Sequence, residues 1–203
     1  MPASSNSRLA IIDSGGANIA SLRYAVERMG VNAQLTTDAS VIRNATHVIL
    51  PGVGSAADCM SRLQRAGLVD VIMQVKQPFL GICVGMQLLF DSSEEGSVKC
   101  FGLLPGRVQR FPDRAGLPVP HMGWNTLNIL RPSPLLSDFT EDDYVYYVHS
   151  YCAPVSDNSL ATTEYGNTFS SVVQRDNIFG AQFHPERSAK SGAKLISNFL
   201  SLS

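Results

Sequence analysis

Short apolar runs that alternate with helical segments constrain the fold of this chain more than any other feature. The runs lie at residues 9–12, 48–50 and 79–82, and a further strand is predicted at 33–36. Apolar side chains at helical spacing follow at residues 19–29, with Asn18 as the predicted N-cap, at 63–75, broken near Gly67, and at 84–90. Strands that are apolar on both faces and alternate with helices predict a parallel sheet covered by helices on both sides.

The second half of the chain has a different pattern. Short β-rich segments at residues 107–111, 125–130, 144–148, 170–174 and 178–183 are separated by turn residues, and a last helix is predicted over 188–202. The predicted fold class is therefore α/β, a three-layer, mostly parallel sheet flanked by helices, with additional antiparallel strands in the C-terminal half. A length of 203 residues suits one domain, predicted over 8–203 after a flexible polar tail at 1–7.

Composition and charge exclude several classes of protein. Hydrophobic residues make up 44% of the chain and the formal net charge is −1, which argues against disorder and against nucleic-acid binding. The start lacks the pattern of a signal peptide and no apolar run suits a membrane span, so a soluble, cytoplasmic protein is expected. The four cysteines have neither disulfide nor metal-ligand spacing, so reduced thiols and no metal site are expected, with Cys59, Cys100 and Cys152 interpreted as exposed thiols without a role.

The segment Gly81-Ile82-Cys83-Val84-Gly85 is a thiol version of the nucleophile elbow. A nucleophile on a sharp turn between a strand and a helix needs small residues two positions before it and two positions after it. The turn would also place Cys83 at the start of a helix, where the dipole favours a thiolate. A buried cysteine in a glycine-rich turn would give the same pattern, so the motif alone leaves both interpretations open.

A thiol nucleophile requires a base and a group that orients the base. His47 is interpreted as structural, and neither His121 nor His149 has an acid placed to orient it. His184 differs, because Pro185 keeps it extended and Glu186 lies two positions further on the same face. A surface histidine followed by a first-turn glutamate is the alternative. Together with the elbow, however, the pattern completes a Cys-His-acid arrangement.

Acyl transfer also requires donors for the developing oxyanion. The segment Pro51-Gly52-Val53-Gly54-Ser55 follows the third strand, where one of its backbone N–H groups could face the elbow and join the N–H of Val84. A tight turn followed by a helix N-cap at Ser55 is the other interpretation of the same residues.

With these motifs in place, the chain resembles the class I (triad) glutamine amidotransferases. Within that family, residues 51–55, 92–96, 120–125 and 147–151 resemble the glutaminase subunits of imidazole glycerol phosphate synthases, and the resemblance runs from residue 9 to 200. The chain departs from the subfamily pattern in two places. The first turn reads Asp13-Ser14-Gly15-Gly16-Ala17-Asn18, whereas the subfamily usually has Asp-Tyr-Gly-x-Gly-Asn. Arg187 stands where lysine is common.

The resemblance implies specific roles. Cys83 would attack the carboxamide carbon of glutamine, His184 would act as base and then acid, and Glu186 would orient the imidazole. The other implied residues are the oxyanion-hole group Gly52, Val53 and Val84; the glutamine-binding group Gly52, Gln87, Ser150 and Tyr151; and the partner-facing group Asn18, Trp124 and Arg187.

The resemblance also implies a partner and no cofactor. Ammonia would pass to a separate cyclase subunit with the (β/α)₈ barrel fold, in a heterodimer that makes imidazole glycerol phosphate and aminoimidazole carboxamide ribonucleotide in histidine biosynthesis. Three alternatives remain: a glutaminase subunit of another synthase, a stand-alone thiol hydrolase acting on γ-glutamyl substrates, and a non-catalytic regulator of the same fold. A requirement for a partner would separate the synthase interpretation from an independent hydrolase.

Overall fold

The elements of the fold follow the alternation that the apolar runs predict. The computed structural model describes residues 8–15 and 19–203. The predicted tail at 1–7 and the predicted cap and partner residue Asn18 lie outside the described residues. The described strands are β1 (Leu9–Ile12), β2 (Ala33–Thr36), β3 (His47–Gly52), β4 (Phe79–Cys83), β5 (Ser92–Ser93), β6 (Val98–Lys99), β7 (Arg107–Arg110), β8 (His121–Thr126), β9 (Asn128–Ile129), β10 (Tyr144–His149), β11 (Tyr151–Cys152), β12 (Ser159–Tyr165), β13 (Asn167–Arg175) and β14 (Ile178–Ala181).

Helices connect and cover these strands. The described α-helices are α1 (Ile19–Glu27), α2 (Ala39–Asn44), α3 (Ala56–Arg65), α4 (Val69–Met73), α5 (Val84–Gln87) and α6 (Ala189–Leu200). Two 3-10 helices cover Pro134–Leu136 and Pro185–Arg187. Within residues 8–15 and 19–203, no helix combines the length and the apolar character needed to cross a membrane.

The main sheet confirms the predicted fold class. Its strand order is β2-β1-β3-β4-β14-β13-β12-β9. The first five strands pair in parallel, and the remaining pairings are antiparallel. Parallel pairing sets Ala181 of β14 opposite Ile82 of β4, which brings two distant parts of the chain side by side. Two smaller sheets, β11-β7-β5-β6 and β10-β8, complete the β structure of the described chain.

Burial explains why the parallel strands carry continuous apolar runs. All residues of β1, β3, β4 and β14 are buried, because helices cover both faces of a parallel sheet. Helix α6 packs closely against the segment that carries His184. A Cβ atom on Gly192 would lie 1.8 Å from the carbonyl oxygen of Pro185, so only glycine permits this approach.

Several predicted elements differ from the structure in extent. The helical stretch at 63–75 forms two helices separated at Gly67, whose φ of +66° ends α3. The helix predicted over 84–90 ends at Gln87, and the N–H of Leu89 then donates to the carbonyl of Met86 in a tighter turn. The strand predicted over 125–130 is wrong as a single element, because β8 ends at Thr126 and β9 begins in a different sheet.

Two of the longer elements, α2 and β12, have no counterpart in the prediction. Helix α2 buries only Ile42, so its apolar periodicity is too weak to recognise. Strand β12 buries serine and threonine residues, so its sequence lacks the apolar pattern that predicts a core strand. The hydroxyl of Thr163, for example, lies 2.8 Å from the hydroxyl of Tyr147, and this pairing makes the burial of both polar groups acceptable.

Three backbone segments meet at the turn between β4 and α5 without room for a side chain. A Cβ atom on Gly85 would lie 2.0 Å from the carbonyl oxygen of Leu50, one on Gly81 would lie 2.5 Å from the carbonyl oxygen of Gly85, and one on Gly52 would lie 2.5 Å from the amide nitrogen of Gly85. This close packing confirms the prediction that the elbow requires small residues on both sides of Cys83.

We expect Gly85→Ala to lower the free energy of unfolding by about 3 kcal/mol or more, because β3 and α5 must separate to admit the methyl group. Gly116→Ala is the control. Its added Cβ atom contacts nothing within 4 Å, so only the positive φ of +79° is costly, at about 1–2 kcal/mol. Urea unfolding measures both variants, and equal losses would contradict the steric explanation.

Candidate active site

The carboxyl ends of three adjacent parallel strands meet at one edge of the main sheet. Gly52 ends β3 and lies opposite Cys83, which ends β4, while His184 follows three residues after the end of β14. Open α/β sheets bind their ligands at this edge. A cavity of about 370 Å³ lies here, and the predicted site residues on its wall are Val53, Cys83, Val84, Gln87, Ser150, Tyr151, His184 and Arg187.

Cys83 occupies the sharp turn that the elbow motif predicts. Its backbone has φ 52° and ψ −111°, a region that residues with a Cβ atom rarely adopt. The residue is 4% exposed, yet it lines the cavity directly before the first residue of α5. The strained turn therefore presents a mostly buried sulfur to the cavity rather than to the core of the sheet.

His184 and Glu186 form a buried pair beside Cys83. The His184 Nδ1 lies 2.8 Å from the Glu186 Oε1. Both side chains are buried, so the alternative of a surface histidine is wrong. The backbone of His184 is held from both ends, because its N–H donates to the carbonyl of Tyr146 at 2.9 Å and its carbonyl accepts from the Ser188 hydroxyl at 2.7 Å.

The electrostatic surroundings hold a proton on His184. Burial lowers the pKa of the imidazolium, but hydrogen bonds and charge interactions with Cys83 and Glu186 outweigh burial and raise the pKa to about 10. The ring therefore lies between the sulfur and the carboxylate. It is protonated at neutral pH and can donate that proton to a group bound in the cavity.

Two of the predicted oxyanion-hole residues line the cavity, and the segment after β3 also caps a helix. Val84 is the first residue of α5, and amides in the first turn of a helix have no partner within the helix. Val53 lies on the cavity wall next to it. Ser55 also caps α3, since its side chain accepts from the N–H of Asp58 at 3.2 Å. The N-cap interpretation of this segment is thus confirmed without excluding the other.

Gln87 connects the elbow helix to the main chain at Tyr151, which also lines the cavity. Its Nε2 donates to the carbonyl of Tyr151 at 2.8 Å and to the Gln182 Oε1 at 3.1 Å. Among residues 8–15 and 19–203, no protein donor reaches the buried Oε1 of Gln87. This oxygen is therefore an acceptor that a ligand in the cavity could use.

Sequence reasoning missed three residues of the site. Glu95 lines the cavity, accepts from the N–H of Ala56 at 2.8 Å, and has a pKa raised by burial. His149 lines the same cavity, and the Gln182 Nε2 donates to the Cys83 sulfur at 3.7 Å. Glu95 and His149 lie in the segments 92–96 and 147–151 that carry the resemblance, so the sequence contained a signal for both. Gln182 lies in an apolar segment without a motif, so no sequence signal pointed to it.

The two described partner residues lie around one aromatic ring. Trp124 on β8 is 52% exposed, and its ring lies 5.7 Å from that of Tyr146. The Arg187 guanidinium lies 5.8 Å from the centre of the same Tyr146 ring. Met122, two residues before Trp124, is 62% exposed. We call Met122, Trp124, Tyr144 and Tyr146 the aromatic face. Arg187 joins this face to the cavity.

The other three cysteines are not exposed. Cys59, Cys100 and Cys152 are all buried, so the prediction of exposed thiols was wrong. The expectation left out that a free cysteine behaves as a small hydrophobic residue and is among the most buried residue types. Burial raises the pKa of each of these thiols to about 11, which makes them poor nucleophiles at neutral pH.

We expect Cys83→Ala to lower the pKa of His184, because Cys83 is one of the two partners that raise it. NMR of the ring protons between about pH 5 and 11 would follow the titration. Cys100→Ala is the matched control and should leave the midpoint unchanged. An identical midpoint in Cys83→Ala and the parent chain would show that the sulfur and the ring do not interact.

Known proteins share both the sequence and the fold of this chain. The family model "Glutamine amidotransferase class-I" matches residues 10–202. A relative from Xanthomonas axonopodis pv. citri is 51% identical over 195 residues, covering 96% of this chain and 98% of the relative. A relative from Xylella fastidiosa (strain Temecula1) is 50% identical over 194 residues, covering 96% and 97%. Both are named imidazole glycerol phosphate synthase subunit HisH.

Solved structures share the fold at low sequence identity. The structure of PurLQS from Thermotoga maritima superposes with a TM-score of 0.75 at 20% identity, covering 96% of this chain and 97% of that one. A crystal structure of a glutamine amidotransferase from the same organism gives a TM-score of 0.64 at 17% identity, covering 95% and 82%. The chain belongs to the class-I glutamine amidotransferase family, and within it to the group of HisH subunits of imidazole glycerol phosphate synthase.

Proposed function

We propose that this chain hydrolyses the side-chain amide of glutamine and delivers the ammonia to a cyclase partner subunit of imidazole glycerol phosphate synthase. The single observation that carries the proposal is the constellation of Cys83 and His184 on one cavity wall, with the Glu186 Oε1 behind the ring, 2.8 Å from the His184 Nδ1. The names of the relatives support the identity of the partner.

In the first step, the Cys83 thiol has passed its proton to His184, and the resulting thiolate attacks the carboxamide carbon of glutamine to form a carbon–sulfur bond. The electrons of the carbonyl double bond move to oxygen, which becomes an oxyanion. The N–H of Val84 and an N–H from the Gly52–Val53 segment would stabilise this charge, since such donors act most strongly in a site that excludes water.

In the second step, His184 gives its proton to the amide nitrogen, the carbon–nitrogen bond breaks, and ammonia leaves behind a glutamyl thioester. The ring then accepts a proton from water, whose oxygen attacks the thioester carbon. Glutamate departs as the carbon–sulfur bond breaks, and the sulfur and ring return to their starting state. Glu186 keeps the ring oriented and stabilises its charged form throughout.

Two acceptors on the cavity wall suit the amino-acid end of glutamine. The unpartnered Oε1 of Gln87 and the carboxylate of Glu95 are acceptors for an ammonium group. Ser150 and Tyr151 line the same cavity. An ammonium group bound near Glu95 would therefore leave the carboxamide end of the substrate to reach Cys83.

The aromatic face supports docking of a partner next to the cavity. Exposed aromatic and methionine side chains are enriched in protein–protein interfaces, and Arg187 lies both on the cavity wall and over the Tyr146 ring. A barrel-shaped cyclase in a heterodimer would cover this face and shelter the ammonia. Trp124 and Arg187 are the proposed contacts, and Asn18 is proposed from the sequence resemblance alone.

We expect Cys83→Ala to reduce glutamate release from glutamine by about 10⁴-fold or more, because no other nucleophile replaces the sulfur. The assay compares the purified chain alone with the chain plus a cyclase subunit in the presence of its ribonucleotide ligand. Cys100→Ala, which removes a buried thiol outside the cavity, should retain activity. The Cys83→Ala variant should still fold and bind the partner.

The same assay distinguishes the competing functions. Strong activation of the parent chain by partner and ligand is the expected result. Equal and high activity with and without the partner would indicate an independent hydrolase acting on γ-glutamyl substrates. Activity only with the partner of a different synthase would change the assigned reaction, and residual activity in Cys83→Ala would remove Cys83 from its role as nucleophile.

We expect Trp124→Ala to weaken binding of the cyclase subunit by about 2 kcal/mol, roughly 30-fold in Kd, because large aromatic residues at interface centres often dominate affinity. Met73→Ala is the matched control. Met73 is also a large exposed apolar residue, but it lies near the start of β14, at the amino ends of the parallel strands. Isothermal titration would measure both, and equal affinities would place the interface elsewhere.

A further inference from the structure

Two buried histidines outside the proposed triad lie side by side on neighbouring strands. His121 of β8 pairs in register with His149 of β10. The His121 Nδ1 lies 3.2 Å from the His149 Nε2. His149 reaches the cavity wall, whereas His121 is absent from it. The proposed reaction uses neither residue, so their contact requires a separate explanation.

The hydrogen bonds of this pair permit a single arrangement of protons. The His149 Nδ1 lies 2.8 Å from the carbonyl oxygen of Tyr151, and a carbonyl can only accept, so this nitrogen carries the hydrogen. The Nε2 of a neutral His149 is then an acceptor, and the His121 Nδ1 donates to it. Burial keeps both rings neutral, since it lowers the pKa of His121 to about 4 and that of His149 to about 3.

The carbonyl that receives this hydrogen bond belongs to the proposed glutamine pocket. It accepts a second hydrogen bond, at 2.8 Å, from the Nε2 of Gln87. The same Nε2 donates to Gln182, which in turn donates to the Cys83 sulfur. The main chain at Tyr151 is thereby fixed between the elbow helix on one side and the histidine pair on the other.

We propose that His121 and His149 are a positioning pair that holds the Ser150–Tyr151 main chain in the geometry that binds glutamine. The proposal rests on the proposed function, because it assigns the cavity to glutamine. The pair acts on substrate binding and leaves the chemistry of the sulfur unchanged. His121 acts through His149 alone and touches no substrate.

A purely structural role for His121 must be separated from this one. Its ring stacks on Tyr147 at 4.7 Å and on Tyr165 at 3.9 Å between ring centres, so a flat ring could be all that the site requires. Two substitutions distinguish the hydrogen-bonding role of His121 from its packing role. His121→Phe keeps a flat ring but has no donor, whereas His121→Asn keeps an amide N–H close to the position of Nδ1 but loses the ring.

We expect His121→Phe to raise KM for glutamine about fivefold to tenfold, the loss of one hydrogen bond to a positioned group. Its kcat should stay within about twofold of the parent value, and His121→Asn should keep KM within about twofold. Both are measured in the complex with the cyclase subunit. A raised KM in His121→Asn with a normal KM in His121→Phe would show that packing alone matters and would overturn the proposal, as would unchanged KM values in both.

A second measurement separates the pocket from the nucleophile. Iodoacetamide alkylates Cys83 without needing the pocket, and the other three thiols are buried. A glutamine analogue with a diazoketone in place of the carboxamide needs both. His121→Phe should slow labelling by the analogue but not by iodoacetamide. Equal slowing by both reagents, or no slowing by either, would overturn the proposal.

Failure of the proposed function gives a different result. The parent chain would then show no labelling of Cys83 by the glutamine analogue.

If His121→Phe does not fold, His121→Gln replaces it. The amide of Gln lies one methylene further out, near the position of Nε2, and therefore misplaces the donor. A raised KM in His121→Gln beside a normal KM in His121→Asn supports the proposal, and equal KM values overturn it.

Discussion

The contact between the main chain of β3 and the turn at Cys83 is the constraint on which the site depends. A Cβ atom added to Gly85 would lie only 2.0 Å from the Leu50 carbonyl oxygen, so the first turn of α5 lies directly on the neighbouring strand. The strained backbone of Cys83, at φ 52°, persists because the packing around the turn holds it in this conformation. The same contact brings the segment that follows Gly52 to the side of the cavity where an oxyanion would form.

Electrostatics add to this geometry at the end of β14. A buried histidine would ordinarily lose its proton, since burial lowers its pKa. Here the carboxylate of Glu186 and the sulfur of Cys83 reverse that preference. The pKa values of His121 and His149 change in the opposite direction. These two rings are also buried, but no carboxylate faces them within the described part of the chain, and their pKa values fall. Partners, and not burial alone, therefore determine which histidine can work as a proton donor.

Strand β10 connects the aromatic face to the cavity. Its residue Tyr146 contacts Trp124 and Arg187 with its side chain, while its backbone carbonyl accepts from the N–H of His184. Its last residue, His149, contacts the main chain of Tyr151. A partner that presses on the aromatic face would thus act on a strand that holds both the proposed base and the proposed glutamine pocket.

The sequence by itself determined the features that depend on neighbours in the chain. Continuous apolar runs require burial on both faces and so indicate a parallel sheet. The glycines around Cys83 indicate a sharp turn, and two residues suffice to place Glu186 beside His184. Elements with weak local signals were missed, as α2 and β12 show, because one buried residue or a row of buried hydroxyls does not produce a recognisable period.

Only the tertiary structure decided which distant residues meet. Parallel pairing of β4 with β14 brings His184 to Cys83, although about a hundred residues separate them. Pairing of β8 with β10 places His121 against His149, and packing buries three cysteines that the sequence suggested were exposed. Hydrophobic periodicity indicates which faces of a segment are buried, but it does not indicate which other segment packs against them. Strand order, which follows from the packing of the whole chain, settles that question.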